Sequence, residues 1–317
     1  MAHLIKLEDY TSRYMNDMQR YLSRFSRLKK ERWESMKRDW RRVNNERAPE
    51  PIQEETLEDW LEEAGNGFFQ GAVNRLKQFQ NRRGKKEEPE YETDDRSLFY
   101  EGKSLEELKD MFFEELFMAQ LRWASASILE ESRMNPVYKY DQNLRFLLRY
   151  LPDNYLVLYY PVFSVGSAPL DMDIILISPT EIICLSYLSG DKNSVFETSS
   201  GRYWNEYVHK SRQRIVNPVI SLNRMSRVIQ SVFSEHPLEM ELHRLVWSPA
   251  AVIDHRAPGM KVEMVDKRNH EDWFEKRKRT PSPIKKNQLY AAETLLQHTL
   301  TTSFRRRELL EDIEEEE

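Results

Sequence analysis

The sequence predicts an α/β domain whose central sheet is covered by helices on both faces, preceded by a helical N-terminal extension. Three observations carry this. Between Asp153 and Asp191, apolar runs of strand length are separated by turn residues and show little polar alternation, as strands buried on both faces do. On either side of this stretch, apolar residues recur at helical spacing. From Leu7 to Val43 the same spacing, carried by residues such as Tyr14, Met18, Tyr21, Phe25, Met36 and Trp40, meets no Gly or Pro.

Taken in order, residues 7–43 read as one amphipathic helix. Residues 1–50 hold 13 Lys plus Arg against 8 Asp plus Glu, and the signs are mixed, which favours a helix packed on the domain or on a second copy over one lying on a membrane. An acidic segment, Pro49 to Glu63, precedes a second amphipathic helix over 67–80. Asn81 to Arg96 is densely charged with almost no apolar residues, so it reads as a linker. The expected organisation is a helical extension over 1–97, a helical lead-in over 98–137, the α/β domain over 138–302 and an acidic tail over 303–317.

Ser104-Leu105-Glu106-Glu107 is a capping box opening a helix over 104–131. Tyr138 to Leu151 predicts a shorter helix that leads through Pro152 into three strands, Tyr155–Phe163, Asp171–Ser178 and Glu181–Tyr187. A small hairpin is expected around Ser199-Ser200-Gly201. Asn217 and Pro218 suit the N-cap and first position of the next helix. Leu245–Ile253 and Lys261–Val265 read as strands, and helices over 270–278 and 284–302 close the fold.

Composition narrows the function classes. The net charge of -5 over 317 residues gives no global argument for nucleic acid or acidic lipid, so such partners must be sought in local patches. One cysteine, Cys184, cannot form an internal disulfide. The start lacks the apolar core of a signal peptide and no apolar stretch is long enough to span a bilayer, so a cytoplasmic location is expected. The histidines lack zinc-ligand spacing, and the absence of a Gly-rich phosphate loop argues against a nucleoside triphosphatase.

An ordered set of short motifs carries a family resemblance. It comprises Leu151-Pro152 before the first strand, Asp173-Ile174-Ile175-Leu176-Ile177-Ser178 in the second and Ser189-Gly190 after the third. The hairpin Gly201-Arg202-Tyr203-Trp204 and the helix start Asn217-Pro218-Val219 complete it. In this order residues 138–302 resemble the nuclease-related domain, NERD, a distant relative of the PD-(D/E)xK nucleases. The resemblance implies a restriction-endonuclease-like mixed central sheet flanked by helices. It also implies phosphodiester hydrolysis with Mg²⁺, held by an acid on the first helix, an Asp on the second strand and a Glu on the third. A Lys two residues after that Glu activates water. Hard oxygen ligands suit the ion, and a cation steadies charge developing on the phosphate.

Carried over residue by residue, the strand Asp is Asp173 and the helix acid is Asp141, which become the candidate catalytic and metal-binding groups. The Glu position is Ser186, the Lys position is Leu188, and a Gln common on the Asn-Pro helix is Ser221. The Glu-x-Lys pair is absent.

Three readings follow. The first is a catalytically inactive relative that keeps the fold for nucleic-acid binding or assembly and needs no cofactor. The second is an active Mg²⁺-dependent nuclease with migrated groups, Lys192, Lys210 or Arg212 for the cation and Glu181 or Glu197 for the carboxylate. Glu181 lies five residues before Ser186 and so faces the other side of its strand. The third is a protein that docks a partner, or itself, through the 7–43 helix. For DNA or RNA the candidate residues are Lys210, Arg212, Arg214, Arg224 and Arg227. Further clusters lie at Lys276–Arg279 with Lys285 and Lys286, and at Arg305–Arg307. Brought to one face they would track phosphates; scattered, they are solvated charge.

Overall fold

A computed structural model describes residues 1–44, 99–165, 168–209, 211–235, 238, 240–254, 261–279 and 282–305. The helix expected over 67–80, the linker over 81–96 and the acidic tail from residue 306 onward lie outside these residues.

The main sheet has six strands, β1 (His3–Leu7), β3 (Leu156–Tyr159), β6 (Ile174–Ile177), β7 (Glu181–Tyr187), β11 (Glu241–Ser248) and β13 (Glu263–Asp266), hydrogen-bonded in that order. β3, β6 and β7 are antiparallel neighbours, whereas β1 runs parallel to β3, β11 to β7, and β13 to β11. The expected mixed sheet flanked by helices is therefore what the chain forms. Every residue of β3 and β6 is buried, as the unbroken apolar runs require.

A second sheet has four strands in the order β10 (Ser211–Val216), β9 (Tyr203–Val208), β8 (Ser194–Glu197), β12 (Val252–Asp254). Two short pairs join β4 (Val162–Val165) to β5 (Ala168–Asp171) and β2 (Glu130–Glu131) to β14 (Phe304–Arg305). The helices are α1 (Met18–Asn44), α2 (Leu105–Trp123), α3 (Gln142–Tyr150), α4 (Pro218–Glu235), α5 (His270–Lys278) and α6 (Lys286–Gln297).

The N-terminal stretch departs from expectation. The helix begins at Met18 rather than near residue 7, and His3–Leu7 is instead an edge strand of the main sheet. Nothing local announces this, because the partner strand lies about 150 residues further along. The extension is consequently not separate from the α/β core. α1 runs antiparallel to α2, with Trp33 against Phe112 (ring centroids 5.2 Å apart) and Phe25 against Trp123 (5.3 Å). Gln120 on α2 is fully buried and donates Nε2 to Ala2 O at 2.8 Å. Lys29 on α1 forms a buried ion pair with Asp153, 3.7 Å apart, at the entry to β3. The apolar stripe of α1 is thus covered within its own chain.

Other boundaries moved for physical reasons. The run Tyr155–Phe163 splits into β3 and β4 because Tyr160 takes a positive φ of 49° and Pro161 has no N–H for a ladder. The run Asp171–Ser178 splits likewise, since Asp171 closes β5 and Ile174 opens β6. The helix expected over 104–131 stops at Trp123; its capping box is present, Ser104 Oγ accepting from Glu107 N. Beyond α6 the chain is extended, with Leu300 N donating to Val162 O and Ser164 N to His298 O, both at 2.8 Å.

Candidate functional site

The sheet end where β3 finishes, β6 begins and β7 finishes gathers the residues that the nuclease resemblance singles out. Ile174 pairs with Leu185, so continuing the antiparallel ladder by one rung sets Asp173 opposite Ser186. Continuing the β3–β6 ladder in the same way sets Tyr160 beside Asp173 on its other side. Burial, then the Asp173 carboxylate, then that of Asp141, push the Tyr160 hydroxyl up to about 12. Both acids therefore act on one phenol. Asp141, Asp173 and Ser186 thus lie towards one end of the sheet.

Their chemistry differs. Asp141 is the N-cap of α3: its Oδ1 accepts from Asn143 N at 2.9 Å and from Leu144 N at 3.0 Å. Its Oδ2 accepts from the Tyr159 hydroxyl at 2.9 Å. Burial and this carboxylate hold the Tyr159 hydroxyl far above its ordinary titration range. Asp173 is partly buried, and its Oδ2 is enclosed with no hydrogen-bond partner among the described residues. Ser186 is 7% exposed. Leu188 joins β11 through its backbone, its N donating to Trp247 O at 2.8 Å and its O accepting from Ser248 Oγ at 2.9 Å.

This donor set does not fit Mg²⁺. The ion demands near-octahedral hard oxygens and usually one or two free carboxylates. Here both Asp141 oxygens are engaged in hydrogen bonds, the facing group is a neutral serine, and no lysine stands two residues on. Among the described residues no group of three or more His, Cys, Asp or Glu is placed to hold a metal.

Glu181 sits at the opposite end of β7, 3.4 Å from Arg277 and 3.3 Å from His243. Glu197 belongs to the second sheet and accepts from Tyr207 Oη at 3.0 Å and Asn205 Nδ2 at 3.2 Å. Lys192 is exposed in the turn before β8. Lys210 lies outside the described residues.

The basic candidates form two groups. Arg212 and Arg214 project from the edge strand β10, facing Tyr207 and Asn205 on β9. Arg224 and Arg227 are one turn apart on α4, where Arg224 donates to Asp171 O at 3.1 Å and Arg227 lines a shallow cleft with Asn223, Gln230 and Arg244. Sequence reasoning passed over the exposed aromatics of β9. The available signal was the period-two alternation of Tyr203, Asn205 and Tyr207 around a buried Trp204.

Residues 137–249 match the family model described as nuclease-related domain, NERD. Over residues 137–249 the chain is similar to a nuclease-related domain. The matched segment runs from the turn before α3 into the bend after β11, and so includes Asp141, Asp173, Ser186 and the second sheet up to β10. β1, α1 and α2, which complete the core around the nuclease-related domain, lie outside it. The chain is also similar to an RNA 2',3'-cyclic phosphodiesterase of Geobacillus stearothermophilus, 32% identical over 123 residues. That similarity covers 38% of this chain and 36% of the relative, so the chain spans well under half of that protein. No solved structure matches the chain. No helix among the described residues is long and apolar enough to cross a membrane.

Proposed function

We propose that this chain binds nucleic acid through a nuclease-related domain that does not cleave phosphodiesters with Mg²⁺. The observation that carries the proposal is Ser186 in the position facing Asp173, where the nuclease plan needs a carboxylate. A hydroxyl in place of a carboxylate weakens hard-cation binding, and Leu188 supplies no charge to activate water or steady a phosphorane-like transition state. Removing the cation and one carboxylate together takes away both functions of the site, ion retention and water activation.

The nucleic-acid half of the proposal draws support from the domain family and from the arginines of β10 and α4. The name of the Geobacillus relative makes RNA the first ligand to try. Purified chain incubated with Mg²⁺ or Mn²⁺ is expected to leave DNA and RNA uncut, and to bind them with an affinity that falls steeply as salt rises. Cleavage that Asp173→Asn abolishes would overturn the non-cleaving reading. Failure to bind either nucleic acid at low salt would remove the binding reading.

A further inference from the structure

The second sheet has an inner and an outer face, and the register tells them apart. On the inner face Phe196, Trp204 and Ile253 are buried against the core. On the outer face, cross-strand partners align Tyr207 with Arg212 on one side and Val195 on the other. Tyr203 and Tyr207 are 45% and 37% exposed and share one face of the strand. They stand four residues apart, roughly 14 Å along the strand at about 3.4 Å per residue.

Each ring has an arginine beside it. The Arg212 guanidinium lies 5.9 Å from the Tyr207 ring centroid and that of Arg202 lies 5.7 Å from the Tyr203 centroid. Glu197 accepts from the Tyr207 hydroxyl at 3.0 Å, which fixes where that ring stands. The acids of this face, Glu197 and its partner Asp254, sit on β8 and β12, while Arg212 and Arg214 lie on β10 and Arg202 stands just before β9. Among the described residues β10 is also an open edge. An anionic strand is therefore favoured along β9 and β10 and disfavoured further across the sheet.

We propose that this outer face is a platform for single-stranded nucleic acid, with bases stacked on Tyr203 and Tyr207 and phosphates held by Arg202, Arg212 and Arg214. The proposal rests on the nucleic-acid reading above and goes beyond it by placing the strand on the second sheet rather than at the Asp173 end of the first. Exposed rings take unstacked bases, whose π-faces a duplex hides within its own stack. Arginine suits the polar side of the platform because its planar cation both pairs with phosphate and lies against a ring.

Fluorescence anisotropy on the full chain tests this with labelled oligo(dT), oligo(rU) and a duplex of the same length. Tyr203→Ala and Tyr207→Ala are each expected to weaken single-strand binding by about fivefold to a hundredfold, the stacking range for one base on an aromatic, and to leave duplex binding unchanged. Tyr203→Phe and Tyr207→Phe should retain single-strand binding, because the ring persists. Arg212→Ala with Arg214→Ala should lower the slope of log affinity against log salt by about 0.7 per residue removed. Wild-type binding to single strands that the alanine variants leave intact overturns this proposal alone, since the nucleic-acid reading then stands on other surfaces. Absence of binding to every ligand overturns both. Concentration-dependent dimers that the alanine variants dissolve, with single-strand binding unaffected, would make the face an interface between copies instead.

Discussion

Tyr159 donates its hydroxyl to Asp141 Oδ2 at 2.9 Å, and in doing so occupies the one oxygen that the helix cap leaves over. The carboxylate that a nuclease would turn towards a metal ion is here a structural joint between α3 and β3. Asp141→Ala should therefore lower stability, by about 0.5–2 kcal/mol for the lost cap and about 1–3 kcal/mol for the orphaned phenol. Asp141→Asn, which keeps an acceptor for the cap and a polar partner for Tyr159, should cost much less. Urea denaturation of the two variants separates this role from a ligand's role, in which Asn would be nearly as damaging to ion binding as Ala.

Gly190 ends the strand-to-loop turn that leaves the site, and it is packed too tightly for any side chain. A Cβ there would lie 2.8 Å from both Ala251 Cβ and the Phe196 ring. Gly190→Ala should destabilise by about 1–3 kcal/mol, the cost of overpacking a close-packed contact. A midpoint unchanged in urea would show that the loop yields more readily than its neighbours suggest.

Lys6 carries the clearest pH signature. It is fully buried in β1, donating Nζ to Tyr10 O at 2.7 Å and to Thr301 Oγ1 at 3.1 Å. Burial lowers its pKa from the ordinary 10.5 to about 8, against a smaller opposing pull from Asp9. Below pH 8 the lysine is protonated whether folded or unfolded, so the cost of the buried charge is constant. Between pH 8 and 10.5 the unfolded chain holds the proton that the folded chain has released, so stability rises with pH. Wild type should accordingly gain on Lys6→Met across this window by at most about 1.4 kcal/mol per pH unit. Parallel stability curves for the two proteins would contradict the assignment.

Much of the scaffold was legible because its signals are local. β7 was read to the residue, Glu181–Tyr187, since an unbroken apolar run lies between Pro179-Thr180 and Ser189-Gly190. α5 and the capping box of α2 were equally plain, and Asn217 does cap α4, its Oδ1 accepting from Val219 N at 3.0 Å. What escaped was non-local or two-valued. The strand at His3–Leu7 depends on a partner that helical periodicity cannot reveal, and a Tyr at positive φ looks in sequence like any strand tyrosine. At the site, the family resemblance pointed to Asp141, Asp173 and Ser186, whereas the engagement of Asp141 by Tyr159 needed three dimensions. The arginines of β10 were visible as charge; the rings that face them were not, because a tyrosine's exposure is decided by which face of the strand the core occupies.

We propose that the Asp173 end of the sheet holds no divalent ion. Calorimetric titration of Mn²⁺ into the full chain and into the Ser186→Glu, Leu188→Lys double variant addresses it most directly. The expected result is no saturable binding by wild type and a saturable isotherm in the variant that restores the facing carboxylate. Saturable Mn²⁺ binding by wild type that Asp173→Asn abolishes would contradict it.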